Sequence, residues 1–574
     1  MCGIWTLIDL INNQLSAMNG NHLVDFWNLQ KRGPDNSCFE TFPGANVGFH
    51  RLAIMDTSFK SNQPFILQEK DKTIVFICNG EIYNFRYLIE KFELDIENNS
   101  DCLTIPKLYL KFYHNTNKFF SLFEKEIIGE FAFVMLEFDN LKSIRKILVG
   151  RDQIGIRPLY YHHPNKNSKQ LIFSSEVKGT LNFKDEVDEF EPGTIMVIKP
   201  ELINFSDSLQ ESVYRFDWVY NEKPTNQWLT LQETVRNTND LNEIEIKILE
   251  NIRTSVIESI RCRLEADRPK AFLLSGGIDS SIVCAVATKL LGYPIKTFCC
   301  GMEGAEDFKH AKKVAEYIGS HHTEVLFTEE EALDSIEDVI YTIESWDTTT
   351  IRASVGQYMV CKYISKNTDA KVLLVGEGPD EVCSSYLFNW YAPDSDSIME
   401  SSKDYVKNIH YFDVKRSDRC ISRWGLEGRV PLLDPRFISE YWKIPGRMRH
   451  PKFSNIEKYW LRRAFQDILP IDIVYRKKEA FSDGISSKEK SWFSVIQEKC
   501  DRVISDEEFK TQMIKNKQIY APTKEAFYYM KVFIDKFGTK NLNIIPNYWL
   551  PKWDKEGVEV TKYIDPSART LEVY

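Results

Sequence analysis

The chain has 574 residues, too many for one hydrophobic core, so two or more domains are expected. Lys plus Arg number 73 against 83 Asp plus Glu, a formal charge of −10 that disfavours general binding of nucleic acid or anionic membrane. The 12 cysteines follow no CxxC or Cys/His spacing, which points away from zinc and from a disulfide framework and towards free thiols in a reducing compartment.

The N-terminus, Met1-Cys2-Gly3-Ile4-Trp5, has no basic region or cleavage site of a signal peptide. No apolar run reaches the roughly 20 residues that span a bilayer, so the cytoplasm is the expected location. The first third is rich in strand patterns: residues 73–78 (TIVFIC), 131–138 (FAFVMLEF), 144–150 (IRKILVG), 171–175 (LIFSS) and 194–199 (TIMVIK). A helical stretch covers 104–115. Together these predict a sheet-rich α+β domain over 2–200. Residues 201–242 are polar, aromatic and irregular, and read as a linker. From 243 to 574 the pattern changes. A helix over 248–264 precedes strands at 271–274, 295–299, 323–326 and 371–375, with helical patterns between them, and 280–291 reads as a helix. Alternating strand and helix predicts a doubly wound α/β parallel sheet. Beyond about residue 394 the pattern is mainly helical.

The segment 273–281 (LLSGGIDSS) runs from an apolar strand through Ser275-Gly276-Gly277 into Asp279-Ser280-Ser281 at the start of a helix. Glycines let backbone N–H groups approach an anion, and the helix start favours negative charge. The loop lacks the spacing and lysine of a Walker A motif. SGG alone equally describes a tight strand-to-helix turn; the nine-residue string is more specific. A second strand, 372–375, enters an acidic glycine turn, Gly376-Glu377-Gly378-Pro379-Asp380-Glu381. In doubly wound sheets ligands sit at the carboxyl ends of strands, so both loops are expected at one site. Asp279 and Asp380 are hard oxygen donors suited to Mg2+ on pyrophosphate, and either alone also reads as a helix cap. Residues 344–354 (ESWDTTTIRAS), 423–434 (RWGLEGRVPLLD) and 476–484 (RKKEAFSDG) add hydroxyls, arginines and a basic run suited to an anionic ligand.

These strings, with 551–553 (PKW) and 565–569 (DPSAR), resemble the synthetase domain of asparagine synthetases from about residue 245 onward. The resemblance implies an ATP pyrophosphatase-like domain. It implies that Leu274, Ser275, Gly276, Gly277, Asp279, Ser280, Cys300, Val375, Gly376 and Asp380 bind ATP and pyrophosphate. Thr349 and Arg352 would lie near the adenylate, Glu377 would manage protons as ammonia attacks, and Lys478 would bind phosphates.

Upstream, Cys2 is accompanied by 31–35 (KRGPD), 50–56 (HRLAIMD), 79–84 (NGEIYN), 99–102 (NSDC), 151–161 (RDQIGIRPLYY) and 173–178 (FSSEVK). In that order the set resembles class II glutamine amidotransferases, whose fold is that of the N-terminal-nucleophile hydrolases, an α+β arrangement of stacked antiparallel sheets. The chemistry is coherent in its own right. Removal of Met1 frees an amine with a reference pKa near 7.7–8.0, able to take the thiol proton so that Cys2 supplies nucleophile and base. The resemblance implies an oxyanion site at Asn79 and the Gly80 N–H, and a substrate carboxylate on Arg51. Leu52, Ala53, Ile54 and Met55 would line the glutamine site, and Glu81 and Asp101 would receive the α-ammonium or neighbouring polar groups.

Together the two halves imply glutamine-dependent asparagine synthesis. Glutamine, aspartate and ATP are the substrates, Mg2+ is the cofactor, and ammonia passes through the interior between the sites. The alternative is a related ATP-dependent amidotransferase acting on another carboxylate. The resemblance alone points to a homodimer. The chain departs from the family pattern at Lys31 (usually His), at Val375 and Pro379 (usually small), and at Ser384-Ser385 (usually Gly-Gly).

Overall fold

A computed structural model describes residues 1–10, 20–96, 98–162, 170–200, 211–223, 242–478, 484–487, 490–515 and 521–562. Residues 479–483 of the RKKEAFSDG string and the DPSAR string lie outside the described residues.

The first region is two stacked antiparallel sheets. One holds β1 (Gly3–Asp9), β2 (Asn36–Phe42), β3 (Ala45–Arg51), β8 (Tyr160–Tyr161), β9 (Gln170–Ser174) and β10 (Asp188–Glu189), in the order β10-β8-β9-β1-β3-β2. The other holds β4 (Phe65–Glu69), β5 (Lys72–Ile82), β6 (Gly129–Asp139), β7 (Ile144–Arg151), β11 (Thr194–Ile198) and β12 (Glu211–Arg215), in the order β12-β11-β7-β6-β5-β4. Alternation decides what lies between them. Ile4 and Ile8 of β1 pack with Val75 and Ile77 of β5 and Val134 and Leu136 of β6, all buried. Cys2 sits half-buried at the edge of this layer and touches the cores on both sides of it.

The five strands expected in this region all form. The helical stretch expected at 104–115 forms helix Thr104–Lys111, and a second helix, Thr116–Lys125, follows it. The segment read as a linker differs from the expectation over 211–221. Its residues 211–215 pair antiparallel with β11, and Trp218–Asn221 forms a short 3-10 turn. Only five residues pair, with alternation too short to stand out in a polar stretch.

The second region is a parallel sheet of β13 (Lys270–Leu273), β14 (Lys296–Gly301), β15 (His321–Leu326), β16 (Val372–Leu374) and β17 (Glu427–Arg429), in the order β15-β14-β13-β16-β17. The order reverses between β13 and β16, so the loops after these two strands flank a crevice at the switch point. Helix Glu243–Arg263, started by an Asn242/Glu245 capping box, leads into the sheet. Helix Ile278–Leu291 follows β13, and Thr348–Asn367 precedes β16. The part beyond residue 394 is mainly helical, as expected, apart from β17.

Candidate active sites

At the N-terminal site, Arg32 of the KRGPD string anchors the nucleophile by donating Nε–H to the Cys2 carbonyl at 2.8 Å. The Cys2 N–H donates to Asn79 Oδ1 at 2.8 Å, and the Leu52 N–H points at Cys2 Sγ at 3.4 Å. Burial pushes the Cys2 thiol up to about 11, so it is a neutral thiol that needs a base. Asn79 Nδ2 is buried with no hydrogen-bond partner. The amide is thus oriented by its oxygen on the Cys2 backbone and keeps an uncommitted N–H donor, which an oxyanion requires. Gly80 next to it has φ +157, and a Cβ there would lie 2.1 Å from the Glu130 carbonyl, so only glycine fits between β5 and β6.

Arg51 ends β3. It is buried and donates only to neutral oxygens: Ser58 O and Asn62 Oδ1, both at 2.7 Å, Met55 O at 3.4 Å, and Asp56 O. A guanidinium held by carbonyls keeps its charge available for a carboxylate. The loop Leu52–Met55 is buried; the Ala53 N–H donates to Asp35 Oδ2 at 2.9 Å. Ile54 O and the Asp56 N–H are both held by Asp267, from the segment just before β13. Asp101 Oδ2 accepts from the Ile82 N–H at 2.6 Å; burial pushes its carboxyl up to about 6. Glu81 is turned to Arg429 of β17 at 3.2 Å. Burial and then Asp101 push its carboxyl well above the usual range, against the pull of Arg429.

At the second site, a cavity of about 170 Å³ opens at the switch point. It is lined by Leu274, Ser275, Gly277, Asp279, Ser280, Cys300, Val375, Gly376, Glu377, Asp380 and Lys478, and so brings together the two glycine loops and the basic run. Gly276 does not line it. Its φ of +74 and the backbone of His310, 2.4 Å from a Cβ placed there, make it the residue that shapes the turn. Gly376 serves close approach, since a Cβ there would meet the Ser280 N–H at 2.7 Å.

Glu377 is held by Arg416 through two bonds of 2.9 and 2.8 Å, and Arg416 also donates to Asp413 at 2.6 Å. Burial raises the Glu377 carboxyl above its usual range, against the pull of Arg416, which suits a proton acceptor. Ser385 Oγ donates to Asp380 Oδ1 at 2.5 Å. Burial works against the Asp380 carboxylate, yet Lys458 and Lys478 hold it well below the usual range.

Asp279 Oδ1 is buried without a hydrogen-bond partner. Among the described residues no cluster of three or more His, Cys, Asp or Glu is arranged to hold a metal. The facing pair Asp279 and Asp380 fits a magnesium that takes its other oxygens from phosphates and water.

Besides Gly276, two expected residues lie outside the lining of the cavity. Thr349 and Arg352 are absent from its lining. Arg352 is bound bidentately by Glu525 at 2.8 and 2.6 Å, because a buried guanidinium needs a carboxylate. Lys458, missed from sequence, is a lone lysine outside any recognised string. Arg476 and Lys477 also line the cavity, and the basic run signalled them.

A buried layer of charge joins the sites. Arg32 binds Asp418 at 2.7 and 3.1 Å and Glu176 at 2.7 Å. Glu344 accepts the Val177 and Lys178 N–H groups at 2.9 and 2.8 Å. Arg263 bridges Glu130 and Asp434, both at 2.8 Å. Helix Asp413–Ser422 carries Arg416 at Glu377 and Asp418 at Arg32, so one helix links both sites.

The fold and the two sites define a class: an amidotransferase of the N-terminal-nucleophile type fused to a synthetase with a nucleotide loop free of a Walker lysine. Comparison with known proteins narrows it. The glutamine amidotransferase domain family matches residues 1–217, and the asparagine synthase family matches 251–397 and 392–541. Asparagine synthetase [glutamine-hydrolyzing] of Gallus gallus is 38% identical, covering 100% of this chain and 99% of its own. That of Mus musculus is 37% identical with the same coverage, and a probable one of Acanthamoeba polyphaga mimivirus is 36% identical over all of both chains. The chain belongs to the glutamine-hydrolysing asparagine synthetase family.

Proposed function

We infer that this chain makes asparagine from aspartate, with ATP as the activating nucleotide and glutamine as the ammonia donor. The observation that carries the reading is the joint presence of an oriented Cys2–Asn79 pair and a lysine-rich glycine-loop cavity, linked by one helix.

Once Met1 is removed, the Cys2 amine takes the thiol proton and the thiolate attacks the glutamine amide carbon. Asn79 Nδ2 and the Gly80 N–H receive the oxyanion, and its collapse expels ammonia. Water then releases glutamate. Arg51 holds the α-carboxylate, and Asp101 the α-ammonium. In the second site the aspartate β-carboxylate attacks the α-phosphorus of ATP, forming β-aspartyl-AMP and releasing pyrophosphate. Asp279 and Asp380 would hold Mg2+, which supplies charge neutralisation to the leaving pyrophosphate. Lys478 contributes a further positive charge there. Ammonia adds to the acyl carbon, Glu377 takes the surplus proton, and AMP leaves. Ammonia reaches the second site through the interior, at the interface between the domains.

The 12 free cysteines suit the reducing cytoplasm. A homodimer is carried by the family resemblance alone. The test is purified protein with glutamine, aspartate and Mg-ATP, scored for products. Asparagine, AMP and pyrophosphate in equal amounts are expected; ADP and phosphate, or no asparagine, would overturn the reading.

A further inference from the structure

Lys458 is 3% exposed and enters the cavity from the turn before helix Tyr459–Ala464. Its backbone is left-handed, φ 58 and ψ 27, a conformation that non-glycine residues keep only where their surroundings demand it. Its neighbour Glu457 is occupied by Arg462, which donates to its carboxylate at 2.5 Å and to its carbonyl at 2.7 Å. The Lys458 ammonium is therefore delivered to two other carboxylates. It contacts Asp279 Oδ2 from the segment after β13, and Asp380 Oδ1 from the segment after β16 at 2.5 Å. Among the described residues Lys478 pairs with Asp380.

One point charge in contact with oxygens from both sides of the crevice stands where a bridging divalent cation would stand. Magnesium binds oxygen at about 2.0–2.1 Å, and charge-assisted N–H···O contacts run at about 2.7–2.9 Å, so the two cannot share that volume. With Lys458 and Lys478 against Asp279 and Asp380, the formal charge of the cluster is zero. Without Lys458 it is −1, and the bridging position is open.

We propose that Lys458 is a built-in stand-in for the metal, filling the bridging position in the nucleotide-free enzyme and yielding it when metal arrives on the nucleotide. The displaced ammonium then turns to the phosphate oxygens that came with the metal. Free divalent cation is excluded, and metal enters as its nucleotide complex. After adenylation the returning ammonium competes for the aspartates and helps metal pyrophosphate leave. The proposal rests on the reading of Asp279 and Asp380 as the metal-holding pair.

The test uses Mn2+ as the probe, with enzyme-bound metal measured by electron paramagnetic resonance and equilibrium dialysis. Without nucleotide, Lys458→Gln should bind Mn2+ at least tenfold more tightly than the unmodified enzyme, and Lys478→Gln by a clearly smaller factor. Lys458→Met carries the same expectation and replaces the first variant should its thermal unfolding show a folding defect. Equal Mn2+ affinity in the Lys458 variants and the unmodified enzyme overturns the proposal. An equal gain in Lys478→Gln also does so, because the effect would then be general charge and not occupancy of the bridge. The underlying metal reading is tested separately: with ATP present, the unmodified enzyme should bind Mn2+ and Asp279→Asn should not. Failure of that arm removes the metal pair itself.

Discussion

Asn79 illustrates how one side chain can serve two ends of a reaction. Its oxygen holds the Cys2 N–H, and its amide nitrogen is buried and uncommitted. Asp101 sets a pH limit on the same site. Its folded carboxyl lies at about 6, above the ordinary value, so it is neutral below that pH and anionic above it. The carboxylate form is the one that can hold an α-ammonium. Glutaminase kcat/KM should therefore fall as pH drops through about 6, while ammonium-dependent synthesis measured across the same range keeps a different profile. A limb unmoved in Asp101→Asn would remove this assignment. Ser384 stands at φ +54, where the family pattern has glycine. Its hydroxyl makes only a 3.4 Å contact to Ile398 O. Relief of the left-handed strain in Ser384→Gly should outweigh the added freedom of the unfolded chain and raise stability by about 0.5–1 kcal/mol, read as a higher denaturation midpoint. Ser385, its neighbour, instead earns its place by holding Asp380.

At the scale of elements, two short pieces tie the halves together. Asp267, just before β13, accepts the Asp56 N–H at 2.8 Å and donates its own N–H to Ile54 O. It thereby fixes the glutamine loop from the synthetase side. Asp267→Ala should raise the KM for glutamine several-fold and leave ammonium-dependent synthesis unchanged, in steady-state assays run side by side.

β17, Glu427–Arg429, was not legible in the sequence. Strand patterns are read from apolar alternation, and Glu-Gly-Arg has none. Its charges are neutralised by Glu81 of the other domain and by each other, a tertiary solution that periodicity cannot signal. The strands around both glycine loops were legible because buried parallel strands are short apolar runs bounded by turns. The cavity-lining residues of the two glycine loops and of the basic run were legible through their strings. Lys458 was not, because its role comes from where its ammonium ends up and not from its neighbours in sequence. The partner of Arg352 was not legible either: the hydroxyl-rich string drew attention to the arginine, and Glu525 lies 173 residues away.

Across the whole molecule, the domains share one apolar cluster and, beside it, a layer of buried charge. Arg32 reaches Asp418, Glu176 and the Cys2 carbonyl at once, and shares the two carboxylates with Arg419. Removing one partner of a fully buried pair costs about 3–5 kcal/mol; here Lys178 and Arg419 still hold Glu176 and Asp418, which places the loss of Arg32 below that range. Arg32→Met should lower the unfolding midpoint accordingly and impair glutamine use, since the nucleophile loses its anchor. The network also explains how two chemistries can be coupled in one chain, because the helix that positions Glu377 through Arg416 is the helix that positions Cys2 through Asp418 and Arg32. The most direct test of coupling follows the nitrogen. Synthesis is run with glutamine labelled with 15N at the amide, in the presence of a large excess of unlabelled ammonium at a pH where both are used. Asparagine carrying 15N well above the bulk ammonia ratio is the expected result; label diluted to that ratio would contradict passage through the interior.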